Sequence, residues 1–151
     1  MKVGDLVIIA SLGEIKAYKA APRTLEAEAG LKPSEIKLDL LTSIDIIEAH
    51  KRIRDLVTDE LGQFKKGSLG EAHNLKTEIL NTIIKTVAED IDSLIEQYGE
   101  KKVFLSIPQE HANAILEHMK NSDKLFRVVK KDLLKRDKNT LIEEFKPELL
   151  K

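Results

Sequence analysis

Residues 67–107 read GSLGEAHNLKTEILNTIIKTVAEDIDSLIEQYGEKKVFLSI, and this stretch decides the fold. Leu75, Ile79, Ile83, Ile84, Val87, Ile91, Leu94, Ile95 and Tyr98 recur at steps of three and four, which gathers them on one face of a helix. Glu78, Lys85, Glu89, Asp92 and Glu96 fall between them and are expected to keep the other face wet. With Asn74 as N-cap and Gly99 as a left-handed terminating residue, the helix would span roughly 36 Å at about 1.5 Å per residue. So long an apolar stripe must lie across something flat. Val103-Phe104-Leu105-Ser106-Ile107 follows at once and reads as a buried strand, so the helix packs on a sheet containing the strand it feeds.

Working outward towards the N-terminus, Asp5–Ala10 is a second buried strand, and Ser11-Leu12-Gly13 turns the chain tightly. Glu14–Ala20 alternates with period two and completes a hairpin whose second strand is half exposed, open to pairing with a second copy of the chain as a homodimer. Residues 21–34 read as loop, and Ile36, Leu38 and Leu40 alternate with charged residues as a third strand. Residues 43–61 fit a helical face capped by Ser43. Towards the C-terminus, Pro108 suits the first position of a helix that runs to about Lys120 with Ala112, Ile115, Leu116 and Met119 inward. Leu125–Val129 makes a last strand, and Thr140 with Glu143 has the spacing of a capping box opening a short terminal helix. The order βββ(α)αβαβα implies one α/β domain over residues 1–151: a layered fold with a mixed five-stranded sheet flanked by helices.

At 151 residues with a net charge of −1, the totals indicate neither a polybasic nucleic-acid protein nor a membrane-surface protein. The absence of cysteine excludes disulfides, thiolate metal sites and a cysteine nucleophile. The apolar run Leu6–Ala10 is too short for a signal segment or a membrane span, so cytoplasmic residence is the expectation.

No catalytic constellation stands out in the residues, nor any metal-ligand set or cofactor motif. His111 and His118 lie two helical turns apart and read as solvated or packing residues. His73 is the histidine of interest, because it stands between a glycine-rich loop and the long helix. That loop, from Gly62 to Gly70, carries Gln63, Lys65, Lys66 and Gly67, but it matches no phosphate-loop pattern. Charge is distributed unevenly. Lys120, Lys124, Arg127, Lys130, Lys131, Lys135, Arg136 and Lys138 face only Asp123, Asp132 and Asp137 in sequence. A basic edge at Arg127, Lys130, Lys131, Asp132 and Lys135 suits contact with a phosphate backbone or an acidic protein, and also an ordinary solvated face, which is the commoner case.

Three segments together resemble the bacterial family of host attachment proteins, described as required for attachment to host cells. They are the opening hairpin Leu6–Tyr18, the stretch Leu56-Val57-Thr58-Asp59-Glu60-Leu61-Gly62-Gln63-Phe64, and the late run Val128-Val129-Lys130-Lys131-Asp132-Leu133-Leu134-Lys135. This chain has Ser11 where the family often carries an acidic residue, and Gln63 where it often carries a basic one. The family is in turn similar to the middle domain of archaeal and eukaryotic peptide-chain release factors, an RNase H-like layer. In those factors a Gly-Gly-Gln loop acts in peptide release; the equivalent segment here, residues 59–73, holds a single Gly62-Gln63 pair. The resemblance implies a non-enzymatic binding protein of the ribosome or RNA. Asp59, Gly62, Gln63, Lys65, Lys66, Gly67, Gly70 and His73 would be presented by the loop, and any effect on host attachment would be indirect. The alternative it leaves open is a metal-dependent hydrolase of nucleic acid or peptidyl-tRNA, with Asp5, Asp39 or Asp132 as ligands.

Overall fold

The computed structural model describes residues 1–22, 36–47, 51 and 69–145, of which 69–75 are described as backbone only. Among the described residues the strands are β1 (Leu6–Ala10), β2 (Glu14–Pro22), β3 (Ile36–Asp45), β4 (Val103–Ser106) and β5 (Leu125–Val129). The α-helices are α1 (Leu69–Tyr98), α2 (Gln109–His118) and α3 (Lys138–Glu144). The strands form one mixed sheet in the order β3-β2-β1-β4-β5. β1 and β2 pair antiparallel, as do β2 and β3, while β4 lies parallel to both β1 and β5. The α/β fold with a five-stranded mixed sheet is as the sequence predicts.

Each side of the sheet carries its own core. Leu6, Ile8 and Ala10 of β1 point to one face, where the stripe of α1 (Ile83, Ile84, Val87, Ile91, Leu94, Ile95) and Ala112 and Ile115 of α2 cover them. Val7 and Ile9 point to the other, where Leu133, Leu141 and Phe145 close over Phe104 and Leu38. β1 is buried on both faces, which is why it reads as a continuous apolar run. Each fully buried Ile or Leu contributes about 1.5–3 kcal/mol, so the α1 stripe is a substantial block of stabilisation.

Several boundaries differ from the sequence reading. α1 begins at Leu69, before Asn74, so Gly70 and His73 belong to its first turns and not to a loop ahead of it. At its other end Gly99 donates to Ile95 O at 2.8 Å in a regular helical bond. A positive φ is found only at Gly4 among the described glycines. What Gly99 provides is room, because a Cβ there would stand 2.5 Å from the Ile95 carbonyl oxygen. Ser43 is no helix cap: β3 runs on to Asp45, and the Ser43 hydroxyl donates to Glu14 Oε1 across the strand pair at 3.0 Å. Ile46 and Ile47 are helical, and most of the helix expected over 43–61 lies outside the described residues. Pro108 is the N-cap of α2 rather than its first residue. The cap of α3 is Asp137, whose Oδ1 accepts the Thr140 N–H at 2.7 Å; a carboxylate one helical turn earlier outcompetes the expected Thr140–Glu143 box. β2 pairs on both sides, so the self-pairing foreseen for it has no free edge; among the described residues the open edges are β3 and β5.

Asp92 is the most informative departure. Its place among the polar residues of α1 predicts a wet side chain, yet it is only 6% exposed. Its two carboxylate oxygens accept the Lys120 and Asn121 backbone N–H groups at 2.8 and 2.9 Å. It thereby pins the end of α2 to α1 and sets where β5 starts. Asp92→Ala would leave two backbone donors unpaired and should cost about 3 kcal/mol. Urea unfolding is the check, with the solvent-facing Glu89→Gln expected to change stability by less than about 0.5 kcal/mol.

Candidate functional site

In an open α/β sheet, ligands settle in the crevice beyond the carboxyl ends of the parallel strands, where the strand order reverses. Here that point lies between β1 and β4, since from β1 the chain moves to one side through β2 and β3, and from β4 to the other through β5. A groove of about 910 Å³ opens there, and its walls come from the three segments that leave those strand ends. Leu12 follows β1, Pro108 to His111 follow β4, and Lys130 to Leu133 with Arg136 follow β5.

Each wall is held by local chemistry. After β1, the Ser11 Oγ accepts the Gly13 and Glu14 N–H groups at 3.0 and 3.2 Å, which closes the turn. Ser106 is fully buried at the end of β4, and its hydroxyl donates to Lys131 O at 2.7 Å. One residue later the Ile107 N–H donates to Val129 O at 3.1 Å. Together these bonds fix the segment that carries the lysines. Beyond it, Asp132 Oδ1 accepts the Leu134 N–H at 3.3 Å and Arg136 N donates to Leu133 O at 3.1 Å, so the chain coils back and returns Arg136 to the groove. Leu133 anchors this coil in the second core.

The groove is cationic but not uniformly so. Lys130 Nζ donates to Asn113 Oδ1 at 3.3 Å, and Lys131 Nζ lies 3.1 Å from Glu144 Oε2. Both interactions are exposed, and pairs of this kind contribute about 0–1 kcal/mol, so an incoming anion can displace them. The N-terminus of α2 opens on the same space, with Pro108 offering no side-chain cap. Its first amides and the helix dipole favour negative charge. Glu110 projects at the rim, 3.9 Å from His111 Nε2, a contact that becomes an ion pair only when the imidazole is protonated.

Of the basic edge read from sequence, Lys130, Lys131 and Asp132 line this groove, whereas Arg127 and Lys135 do not. His111, read as a solvated or packing residue, lines it, and so does Arg136. The pattern that would have revealed them is topological: both follow carboxyl ends of parallel strands. Asp59, Gly62, Gln63, Lys65, Lys66 and Gly67 lie outside the described residues. The carboxylates of the hydrolase alternative are not brought together. Asp5 precedes β1 and Asp132 follows β5, with about 17 Å of strand between the two levels. Asp39 lies out on β3, an edge strand, 3.7 Å from Lys37 Nζ. Among the described residues no three His, Asp or Glu side chains gather to hold a metal ion. No protein-family model matches the chain, and no curated protein matches it. No helix among the described residues is long and apolar enough to cross a membrane.

Next to Arg136, the Asp137 cap carries a pH signature. The Thr140 hydroxyl and then its backbone N–H hold this carboxyl below its ordinary value of 3.8. The stabilising charge is therefore fully present above that value and is lost as pH falls through the lowered one. Amide protection at Leu141 should hold steady from neutral pH to about pH 4 and fall in stronger acid. Asp137→Asn should flatten that dependence, as read by hydrogen exchange.

Proposed function

We propose that the chain is a non-enzymatic, cytoplasmic binding protein that holds RNA, including that of the ribosome, by its phosphate backbone in this groove. One observation carries the reading: Lys130, Lys131 and Arg136 stand together with the uncapped N-terminus of α2 at the switch point of the sheet. Cations and backbone amides at one open groove suit phosphates, while the open shape suits a polymer better than an enclosed small molecule. The resemblance to host attachment proteins, and through them to the release-factor middle domain, points the same way. A mixed sheet of three antiparallel strands followed by two parallel ones supports an RNase H-like layer. A role in attachment would then be indirect. Lys65 and Lys66 would add a second contact.

Three cations engaging three phosphates of a single strand give a log–log salt slope of roughly −2. Co-sedimentation with ribosomes, and binding of a short oligouridylate at several salt concentrations, test the reading. The native chain should bind at low salt and release at high salt. Lys130→Glu with Lys131→Glu should weaken binding about tenfold or more and reduce the slope by about 1.4. Absence of binding at low salt, or a double variant that binds like the native chain, contradicts the proposal.

A further inference from the structure

A second cationic feature lies on β5, at the end of the strand remote from the groove. Val103 opposes Leu125 but Phe104 opposes Arg127, so the β4–β5 register shifts and Phe126 is the extra residue of a bulge. A bulge at a sheet edge re-aims a side chain. Here it leaves Phe126 45% exposed, with its ring edge-on against Phe104 at a centroid distance of 5.5 Å. Phe104 makes a matching edge contact with Phe145, also at 5.5 Å, so the exposed ring rests on a packed aromatic support. Two cations lie over it: Lys102 Nζ is 4.2 Å from the ring centroid and Arg127 Cζ is 4.9 Å away. Neither forms an ion pair with a carboxylate among the described residues. Arg127 Nε is buried with no hydrogen-bond partner among them. Lys2, Lys101 and Lys124 line the adjoining recess, and of its two acids Asp5 is buried and accepts the Lys2 backbone N–H at 2.7 Å.

A core role does not account for a ring left this open, and an apolar partner does not account for the cations around it. We propose that Phe126 is a stacking platform for a base of a single-stranded nucleic acid, with Lys102 and Arg127 taking the flanking phosphates. The inference rests on the RNA-binding reading of the groove and extends it. Among the described residues β5 is an open edge of the sheet, and Lys130 lies four residues beyond Phe126, about 13 Å along the strand. One strand laid along this edge meets both features. Every base has a π-face, so stacking of this kind tolerates any sequence while the cations track the backbone. The long Lys102 stem lets its ammonium leave the ring for a phosphate.

The sequence contains no tryptophan, so Phe126→Trp creates a single reporter at the platform. Titration of this variant with oligouridylate should quench the indole fluorescence. An abasic oligomer with the same phosphates should bind more weakly and leave the fluorescence unchanged. Phe126→Ala should weaken oligouridylate binding about tenfold while keeping the native salt slope. If Phe126→Ala binds as the native chain does, while Lys130→Glu with Lys131→Glu still weakens binding, the platform is overturned and the groove reading stands. If the lysine variant alone is without effect, the groove reading fails and the platform survives. Quenching by polyglutamate but not by oligouridylate overturns the platform in favour of an acidic protein.

Discussion

The parallel pairing of β1 with β4, Leu6 to Ile9 against Val103 to Ser106, is the constraint on which the rest of the structure depends. Parallel neighbours cannot be joined by a tight turn, so the chain must leave the sheet and return across its face. α1 makes the return, and its apolar stripe is the price of the crossing as well as the first core. Pairing β4 to β1 also places β1 at the centre, buried on both faces, and aligns the carboxyl ends of β1, β4 and β5. The groove is a consequence of that alignment rather than a separate invention of the loops. Ser106 shows the link at one residue: the last residue of β4 is also the donor that holds Lys131 in place.

Much of this was legible in the chain because it rests on periodicity. The stripe of α1 and the continuous run of β1 each announce a face, whereas the alternation of Ile36, Leu38 and Leu40 holds only for the first two: the β2–β3 register shifts between Ala17 and Tyr18, and Leu40 is left 52% exposed. What was not legible depends on partners far away in sequence. Asp92 looks like any polar residue of an amphipathic helix, and only the arrival of Lys120 and Asn121 makes it a buried acceptor. Asp137 and Thr140 both fit a helix start, and local geometry alone chooses between them. The basic run from Lys120 to Lys138 could be read as charge but not as direction. The β5 bulge sends Arg127 over the Phe126 ring, and the coil after Leu133 brings Arg136 back beside Lys130 and Lys131. His111 belongs to the groove only because α2 starts where β4 ends.

Overall the protein is nearly neutral, which makes the placement of its cations more telling than their number. Among the described residues, cations stand at both ends of β5, where long-range attraction is weak, screened beyond about 8–10 Å at ordinary ionic strength. On the proposed reading such a surface would select a ligand at contact distance, by phosphates in the groove and by stacking at Phe126, rather than by steering from afar. The exposed lysine contacts with Asn113 and Glu144 fit this use, since they hold the side chains in position yet yield at little cost.

The most direct measurement is an amide chemical-shift titration of the native chain with a short oligouridylate at low salt. Shifts should concentrate at Gln109 to His111, Lys130 to Arg136 and Phe126 to Arg127, and fade together as salt is added. Shifts confined to the β3 edge, or shifts along β5 that persist at high salt, would contradict the proposal.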